Sequence, residues 1–420
     1  MADYRDFIYG ASMKVPTKNG LKRYINFDNA ASTPPFKSVL QLICEEAKWY
    51  SSIHRGAGYK SKYCTAKFEA ARASVAAFCR ADLEEQIVIF TKNTTEAINK
   101  VSHYLDCLPG EFVVFTKMDH HSNELPWRIL PHYCIGLRDC ELDLNELEAV
   151  LKTLRGRIKL VAVSGASNVT GYIPPIHTIA EMTHAAGAKI LVDGAQLVPH
   201  RPVNIYPQED PRHLDFLAFS GHKMYAPFGC GVLIGPKDIF DNPPPSQVGG
   251  GTVKGIGPGG IIWASPPDIE EAGSPNLFGA LTIAQAMETL TAIGWENLIA
   301  HETELLQYTL ERLRQIPGIT LYHEKPWQRV GVVSFNLTGY HHAQVAEYLS
   351  ASRGIGVRSG CFCARGFIQS LLGLDKVAVT DPNTTPGMVR VSFGCYNRIE
   401  EVDILDEALH ELIHGPPAER

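Results

Sequence analysis

Two kinds of apolar pattern alternate along the first two thirds of the chain. Short apolar runs bounded by small or polar residues read as buried strands: Ile87 to Phe90, Phe112 to Thr116, Ile158 to Val163, Lys189 to Val192, Asp215 to Phe219 and Gly229 to Gly235. Tyr63 to Cys79 and Asp143 to Leu154 carry apolar residues at helical spacing instead. Strands alternating with helices imply a mostly parallel sheet with right-handed crossovers, an α/β class. From Leu277 to about Pro317 the pattern is helical, with a break near Gly294. Strands at Ile319 to Tyr322 and Gly331 to Leu337 follow, then helices at His342 to Ala351 and Ile399 to Ile413, which together predict a smaller α+β unit. We therefore divide the chain into an N-terminal arm at 1–20, a large domain at 21–285 and a small C-terminal domain at 286–420.

Composition changes this picture little. The chain has 420 residues, 45% hydrophobic and 20% charged, enough to bury a core without staples. A net charge of -6 and the lack of basic runs argue against nucleic acid or an acidic membrane surface as a partner. The first residues, Met1-Ala2-Asp3-Tyr4-Arg5-Asp6, read as neither a signal nor a transit peptide. No stretch approaches the roughly 20 apolar residues of a membrane span. Ten cysteines without regular spacing point to a reducing, cytoplasmic compartment.

Chemistry concentrates where strands end. The run ending at Phe219 stops in Ser220-Gly221-His222-Lys223, which sets a lysine at the carboxyl end of a strand, where open α/β sheets place their sites. Partly desolvated, such a lysine can form a Schiff base with a carbonyl; left on a loop, it is simply solvated. Asp193 ends the strand before it, as a helix cap or as a partner for a ring nitrogen. Thr94, Thr95 and Glu96 stand at a helix N-terminus, which suits a phosphate or a plain cap. The adjacent His120 and His121 do not make a metal site, because neighbouring residues seldom point at one ion and no third ligand stands near them. Asn168 lies in a turn of small polar residues, and the glycines between 249 and 260 lack the strand-turn-helix frame of a dinucleotide site. Cys361-Phe362-Cys363, flanked by Arg358 and Arg365, reads as a plain structural pair, a redox pair, half a zinc site, or a nucleophile with a second thiol. Arg390 interrupts the largely apolar run Met388 to Phe393, and its fork suits a carboxylate.

Asp193-Gly194-Ala195-Gln196 followed by Ser220-Gly221-His222-Lys223 resembles the class V, fold-type I family of pyridoxal phosphate-dependent aminotransferases, in its cysteine desulfurase and selenocysteine lyase branch. The resemblance runs from about Asn26 to about Val402. It implies a large domain with a mostly parallel seven-stranded sheet, a small C-terminal α+β domain and pyridoxal phosphate as cofactor. By the same resemblance Lys223 anchors the cofactor and moves protons, Asp193 holds the ring nitrogen protonated, and Gln196 contacts O3′. Asn168 approaches O3′ and the substrate, and His120 stacks on the ring. Thr94, Thr95, Ser220 and His222 bind the phosphate. The stretch Glu271-Ala272-Gly273-Ser274-Pro275-Asn276 follows the family pattern Glu-Ala-Gly-Thr-Pro-Asn, so the Ser274 hydroxyl reaches the phosphate of a neighbouring subunit in a homodimer. Arg390 clamps the substrate carboxylate.

Aligning Arg358-Ser359-Gly360-Cys361-Phe362-Cys363-Ala364 with the family's Arg-Thr-Gly-His-His-Cys-Ala places Cys363 on the persulfide-forming position. Cys361-Phe362 replaces the two histidines, a form similar to the Gly-Cys-Phe-Cys of molybdenum-cofactor sulfurase relatives. The segment between Cys363 and Arg390 is longer than in compact relatives, which changes the cover over the thiol. The expected activity is removal of sulfur from L-cysteine to give alanine and an enzyme persulfide for a protein sulfur acceptor. The alternatives are a cysteine, cystine or selenocysteine lyase, an epimerase, and a non-catalytic sulfur carrier.

Overall fold

The computed structural model describes residues 3–54, 56–374 and 386–415. Seven strands form the central sheet: β1 Gln86–Thr91, β2 Phe112–Thr116, β3 His132–Ile135, β4 Ile158–Ser164, β5 Lys189–Asp193, β6 Phe216–Ser220 and β7 Gly231–Pro236. Their spatial order is β1-β7-β6-β5-β4-β2-β3. All pairings are parallel except those of β7, which runs antiparallel to β1 and β6. Only residues 221–230 join β6 to β7, fewer than the dozen or more that a parallel crossover needs. β1, β6 and β7 are buried along their whole length, as in a sheet covered on both faces. Edge strand β3 has no such run, since its middle residues are exposed.

The helices that matter for the site are α1 Tyr59–Cys79, α2 Thr94–Tyr104, α3 His121–Arg128, α4 Leu277–Ile293 and α5 Trp295–Arg314. Gly294, at φ 91°, breaks the last two apart, and their axes differ by 81°. No single described helix is long and apolar enough to cross a membrane. Beyond the bend, β8 Ile319–Tyr322, β9 Val332–Leu337, β10 Arg358–Gly360 and β11 Met388–Ser392 make an antiparallel sheet in the order β8-β9-β11-β10. Helices α6 His342–Arg353 and α7 Ile399–His414 contribute to its core with Val345, Leu349, Val402 and Leu405.

That core also contains Ile25 and Phe27 from near the N-terminus. Ile25–Asn26 pairs in parallel with Ile355–Gly356, and the Ser392 N–H donates to the Phe27 carbonyl at 2.7 Å. The segment that follows, Asp28 to Ala31, is thereby carried from the small sheet toward the ends of the large one.

The glycine-rich stretch between 249 and 260 shows no strand pattern in the sequence, yet Val253–Gly257 and Gly260–Trp263 form a hairpin that exposes Ile256, Ile261 and Ile262. Its turn, Gly257-Pro258-Gly259-Gly260, supplies the positive φ the reversal needs at Gly260, and the glycines hide the strand pattern. Residues 375–385, in the segment read from sequence as a longer cover over the thiol, lie outside the described residues.

Glu271 ties this region to the sheet. Its carboxylate accepts from buried Arg72 on α1 at 2.9 Å and from the Phe90 N–H on β1 at 2.7 Å. Glu271→Ala leaves the buried Arg72 guanidinium with only the exposed Glu69 carboxylate as a charge partner and strips the Phe90 N–H of its acceptor, and should cost about 2–4 kcal/mol in urea unfolding. An exposed control, Lys152→Ala, should stay within about 0.5 kcal/mol; equal effects would contradict the assignment.

Candidate active site

A cavity of about 620 Å³ lies at the carboxyl ends of β4, β5 and β6, closed on one side by the small domain. Asn93 caps α2 by accepting the Glu96 N–H at 3.0 Å, while Glu96 accepts from the Lys92 N–H. β7 passes so close that a Cβ on Gly231 would lie 2.6 Å from Asn93 Cα, so only glycine fits there. Hydroxyls converge on this helix start. Thr94 Oγ1 lies 2.6 Å from Ser220 Oγ, and Thr95 Oγ1 lies 2.7 Å from Ser122 Oγ. Together with the helix dipole, this cluster favours an anion.

Asp193 and Lys223 occupy the middle of the cavity wall. The parallel register sets Asp193 beside Ala218, so the end of β5 abuts the strand that leads into Lys223. Burial raises the Asp193 pKa, and the charge of Lys223 opposes that rise. One Asp193 oxygen accepts the Ala195 N–H at 3.0 Å, so the carboxylate caps the following turn and also lines the cavity. Burial lowers Lys223 to about 8, against the pull of Asp193 and with help from Arg390.

His120 caps α3, its Nδ1 accepting the Ser122 N–H at 3.1 Å. That bond leaves the proton on Nε2. Burial, then the charge of Lys223, push His120 down to about 3, so the ring is neutral at pH 7. Beneath it, buried Asp119 accepts from Ser164 Oγ at 2.7 Å and from the Thr116 N–H at 2.7 Å. Burial lifts Asp119 to about 7 despite those bonds. His222 is likewise lowered, to about 4, by burial and Lys223.

The small domain supplies the opposite wall. Arg390 is buried on β11. Its Nη1 donates to the Asn168 carbonyl at 3.0 Å, its Nη2 meets Asp28 at 3.1 Å, and the Phe362 ring lies 4.9 Å from the guanidinium carbon. Its Nε is buried and has no hydrogen-bond partner among the described residues. Burial lowers Arg390 to about 10, against Asp28. Asp28 also pairs with Arg358 at 3.0 Å. The turn carrying Cys363 is pinned by its main chain: Asn168 Nδ2 donates to the Phe362 carbonyl at 2.7 Å and the His121 N–H to the Cys363 carbonyl at 2.7 Å. Phe362 and Cys363 both adopt positive φ, 50° and 55°.

Of the residues singled out from sequence, Thr94, Thr95, His120, Asn168, Asp193, Gln196, Ser220, His222, Lys223, Cys363 and Arg390 line this one cavity. Gln196 Nε2 donates to the Ala30 carbonyl at 2.7 Å. Ser274 is exposed and does not line the cavity. Sequence reasoning passed over Asp28, Asp119, Ser122, His341 and His342. Asp28 sits in an ordinary strand-and-turn segment, and the two histidines read as a helix start. A separate cluster, His184, His213 and Asp215, lies at the far end of the sheet. Its imidazoles stack at 4.0 Å and 11°, so their lone pairs run parallel and do not converge as one metal ion requires. Although burial opposes it, hydrogen bonds from both histidines hold Asp215 well below the usual carboxylate range.

Residues 25–405 match the family description "Aminotransferase class-V". The chain belongs to the class-V aminotransferase family. Within that family it is 36% identical over 397 residues to the cysteine desulfurase of Pectobacterium atrosepticum, covering 92% of each chain. It is 37% identical over 400 residues to that of Dickeya dadantii, covering 92% of this chain and 91% of the relative. Among solved structures, the apo cysteine desulfurase of Thermococcus onnurineus superposes with a TM-score of 0.84 at 34% identity, covering 99% of each chain. The Escherichia coli cysteine desulfurase CsdA, in an S-sulfonic acid form, gives 0.79 at 27% identity over 92% of this chain and 94% of that one.

Only the neutral form of a lysine attacks a carbonyl. Borohydride trapping of an aldehyde at Lys223 in cofactor-free protein should therefore rise about tenfold per pH unit and level off near pH 8. Peptide mapping reads the adduct; a rise continuing past pH 10 would show an unperturbed lysine.

Proposed function

We propose that the protein is a pyridoxal phosphate-dependent cysteine desulfurase, turning L-cysteine into alanine and a persulfide on Cys363. The observation that carries this reading is a thiol placed in the lysine's own cavity. Cys363 lines it with Lys223 and Arg390, and its carbonyl is pinned by the His121 N–H at 2.7 Å. Membership of the family and the relatives' activity support it.

The residues present fit the cofactor. Lys223 offers an amine of lowered pKa for the aldehyde, Asp193 a buried carboxylate for the ring nitrogen, and the start of α2 with Thr94, Thr95 and Ser220 a cradle for the phosphate. Gln196, Asn168, His120 and His222 surround the same space. When bound, the cofactor supplies an electron sink that stabilises negative charge at the substrate Cα.

The chain's own groups account for the rest. Arg390, whose Nε is otherwise unpartnered, grips the α-carboxylate. Lys223, neutral above about pH 8, takes the Cα proton and returns it. His120 enters as a neutral ring with its proton on Nε2, suited to sharing that proton without bringing a charge. The Cys363 thiolate forms a bond to the substrate sulfur while the substrate C–S bond breaks. The electron pair of that bond remains with the carbon, which is protonated to give alanine. Cys363 is exposed, which suits onward transfer to a protein acceptor. We read the functional form as a homodimer in a reducing, cytoplasmic compartment. Exposed Ser274 and the apolar hairpin at Ile256, Ile261 and Ile262 support a second copy that completes each phosphate site.

Cys363→Ala should reduce alanine formation from L-cysteine to background while the visible absorbance of the bound cofactor persists; undiminished turnover sinks the assignment. Arg390→Lys, which loses the fork, should raise the KM for L-cysteine about 10–100-fold, as expected for about 1.5–3 kcal/mol of charged hydrogen bonding. Unchanged KM would place the carboxylate elsewhere.

A further inference from the structure

Among the described residues, two cysteines line the cavity, Cys361 and Cys363, and the mechanism above uses only one. They sit in one tight curl. With Phe362 and Cys363 both at positive φ, the chain reverses so that the Ala364 N–H donates to the Cys361 carbonyl at 2.8 Å. Two trans peptides keep the Cα atoms of such a pair within about 7 Å, and a curl shortens that span toward the roughly 4.4–6.8 Å that a disulfide bridges. The main chain between them is held by Asn168 and His121, while neither thiol makes a side-chain hydrogen bond among the described residues. Arg358, Arg365 and Arg390 line the same space, so both thiols share a wall rich in guanidinium groups.

We infer that Cys361 is a resolving thiol for the Cys363 persulfide, an inference that rests on the desulfurase reading. The Cys361 thiolate attacks Cys363 Sγ. The Cys361–Cys363 bond forms, the bond from Cys363 Sγ to the sulfane sulfur breaks, and its electron pair leaves with that sulfur as HS⁻. The two cysteines end oxidised as a disulfide and the sulfane sulfur ends reduced as sulfide, so atoms and electrons balance. A dithiol reductant restores both thiols. Exposure favours this direction over a relay of sulfur onto Cys361, since Cys363 is exposed and Cys361 only half-buried. A relay would carry the sulfur away from an acceptor. Without an acceptor, the enzyme discharges its sulfur and parks as a disulfide that blocks the next turnover.

Trypsin cuts after Arg358 and Arg365, so the single peptide Ser359 to Arg365 carries both cysteines. Holoenzyme is given one equivalent of L-cysteine without reductant, free thiols are alkylated, and the peptide is weighed while alanine and sulfide are counted. The expected result is an unalkylated peptide lighter by two hydrogens, with one sulfide released per alanine. Holoenzyme carrying Cys361→Ser should instead hold one extra sulfur atom on Cys363 and release no sulfide. The wild-type peptide decides the matter even if the variant fails to fold. Alanine accompanied by a lasting Cys363 persulfide, or by sulfane sulfur on Cys361, overturns this inference alone. Absence of alanine from the wild-type protein overturns the desulfurase reading, and the inference with it.

Discussion

The structure depends on burying an amine and a carboxylate at the ends of two adjacent parallel strands. β5 and β6 are in register so that Asp193 lies opposite Ala218, and the chain then delivers Lys223 beside it. Neither group is comfortable there alone. Burial raises the carboxylate and lowers the amine, and each partly offsets the other. A lysine lowered to about 8 keeps an appreciable neutral fraction at physiological pH, which is the form that carbonyl chemistry needs. Burial first, and the Lys223 charge second, hold His120 neutral and depress His222, so the buried lysine reinforces what desolvation imposes on its neighbours.

The opposite wall works by contact between the domains. Arg390 belongs to the small sheet, yet it reaches Asn168 of the large domain and Asp28 of the N-terminal segment. The Phe362 ring lies beside its guanidinium, and Asn168 returns a bond to the Phe362 carbonyl. Carboxylate recognition and thiol placement are thus mechanically joined. A shift of the turn that carries Cys363 also disturbs the arginine that orients the substrate.

Much of this was legible because strand ends are punctuated. Apolar runs such as Phe112 to Thr116 and Ile319 to Tyr322 coincide with observed strands. Asp193, Ser220 and Lys223 stand where such runs stop. Gly294 announced the bend between α4 and α5 by interrupting an otherwise helical pattern. What stayed hidden depends on long-range approach. Asp28 gains its meaning from Arg358 and Arg390, more than three hundred positions away, and no local pattern encodes that meeting. Asp119 looks like a turn residue until burial beneath His120 raises its pKa. The hairpin at Val253–Trp263 was masked by glycines that serve its turn. Strand β3 was masked by exposure at the sheet edge.

The central claim is that the Cys363 thiol takes sulfur from a substrate held between Lys223 and Arg390. Its most direct test is the product balance when purified holoenzyme with an excess of dithiol is given L-cysteine. The account predicts alanine and sulfide in equal amounts, with no pyruvate or ammonia. Pyruvate and ammonia as the main products would show that the C–S bond breaks by elimination, without the thiol, and would contradict it.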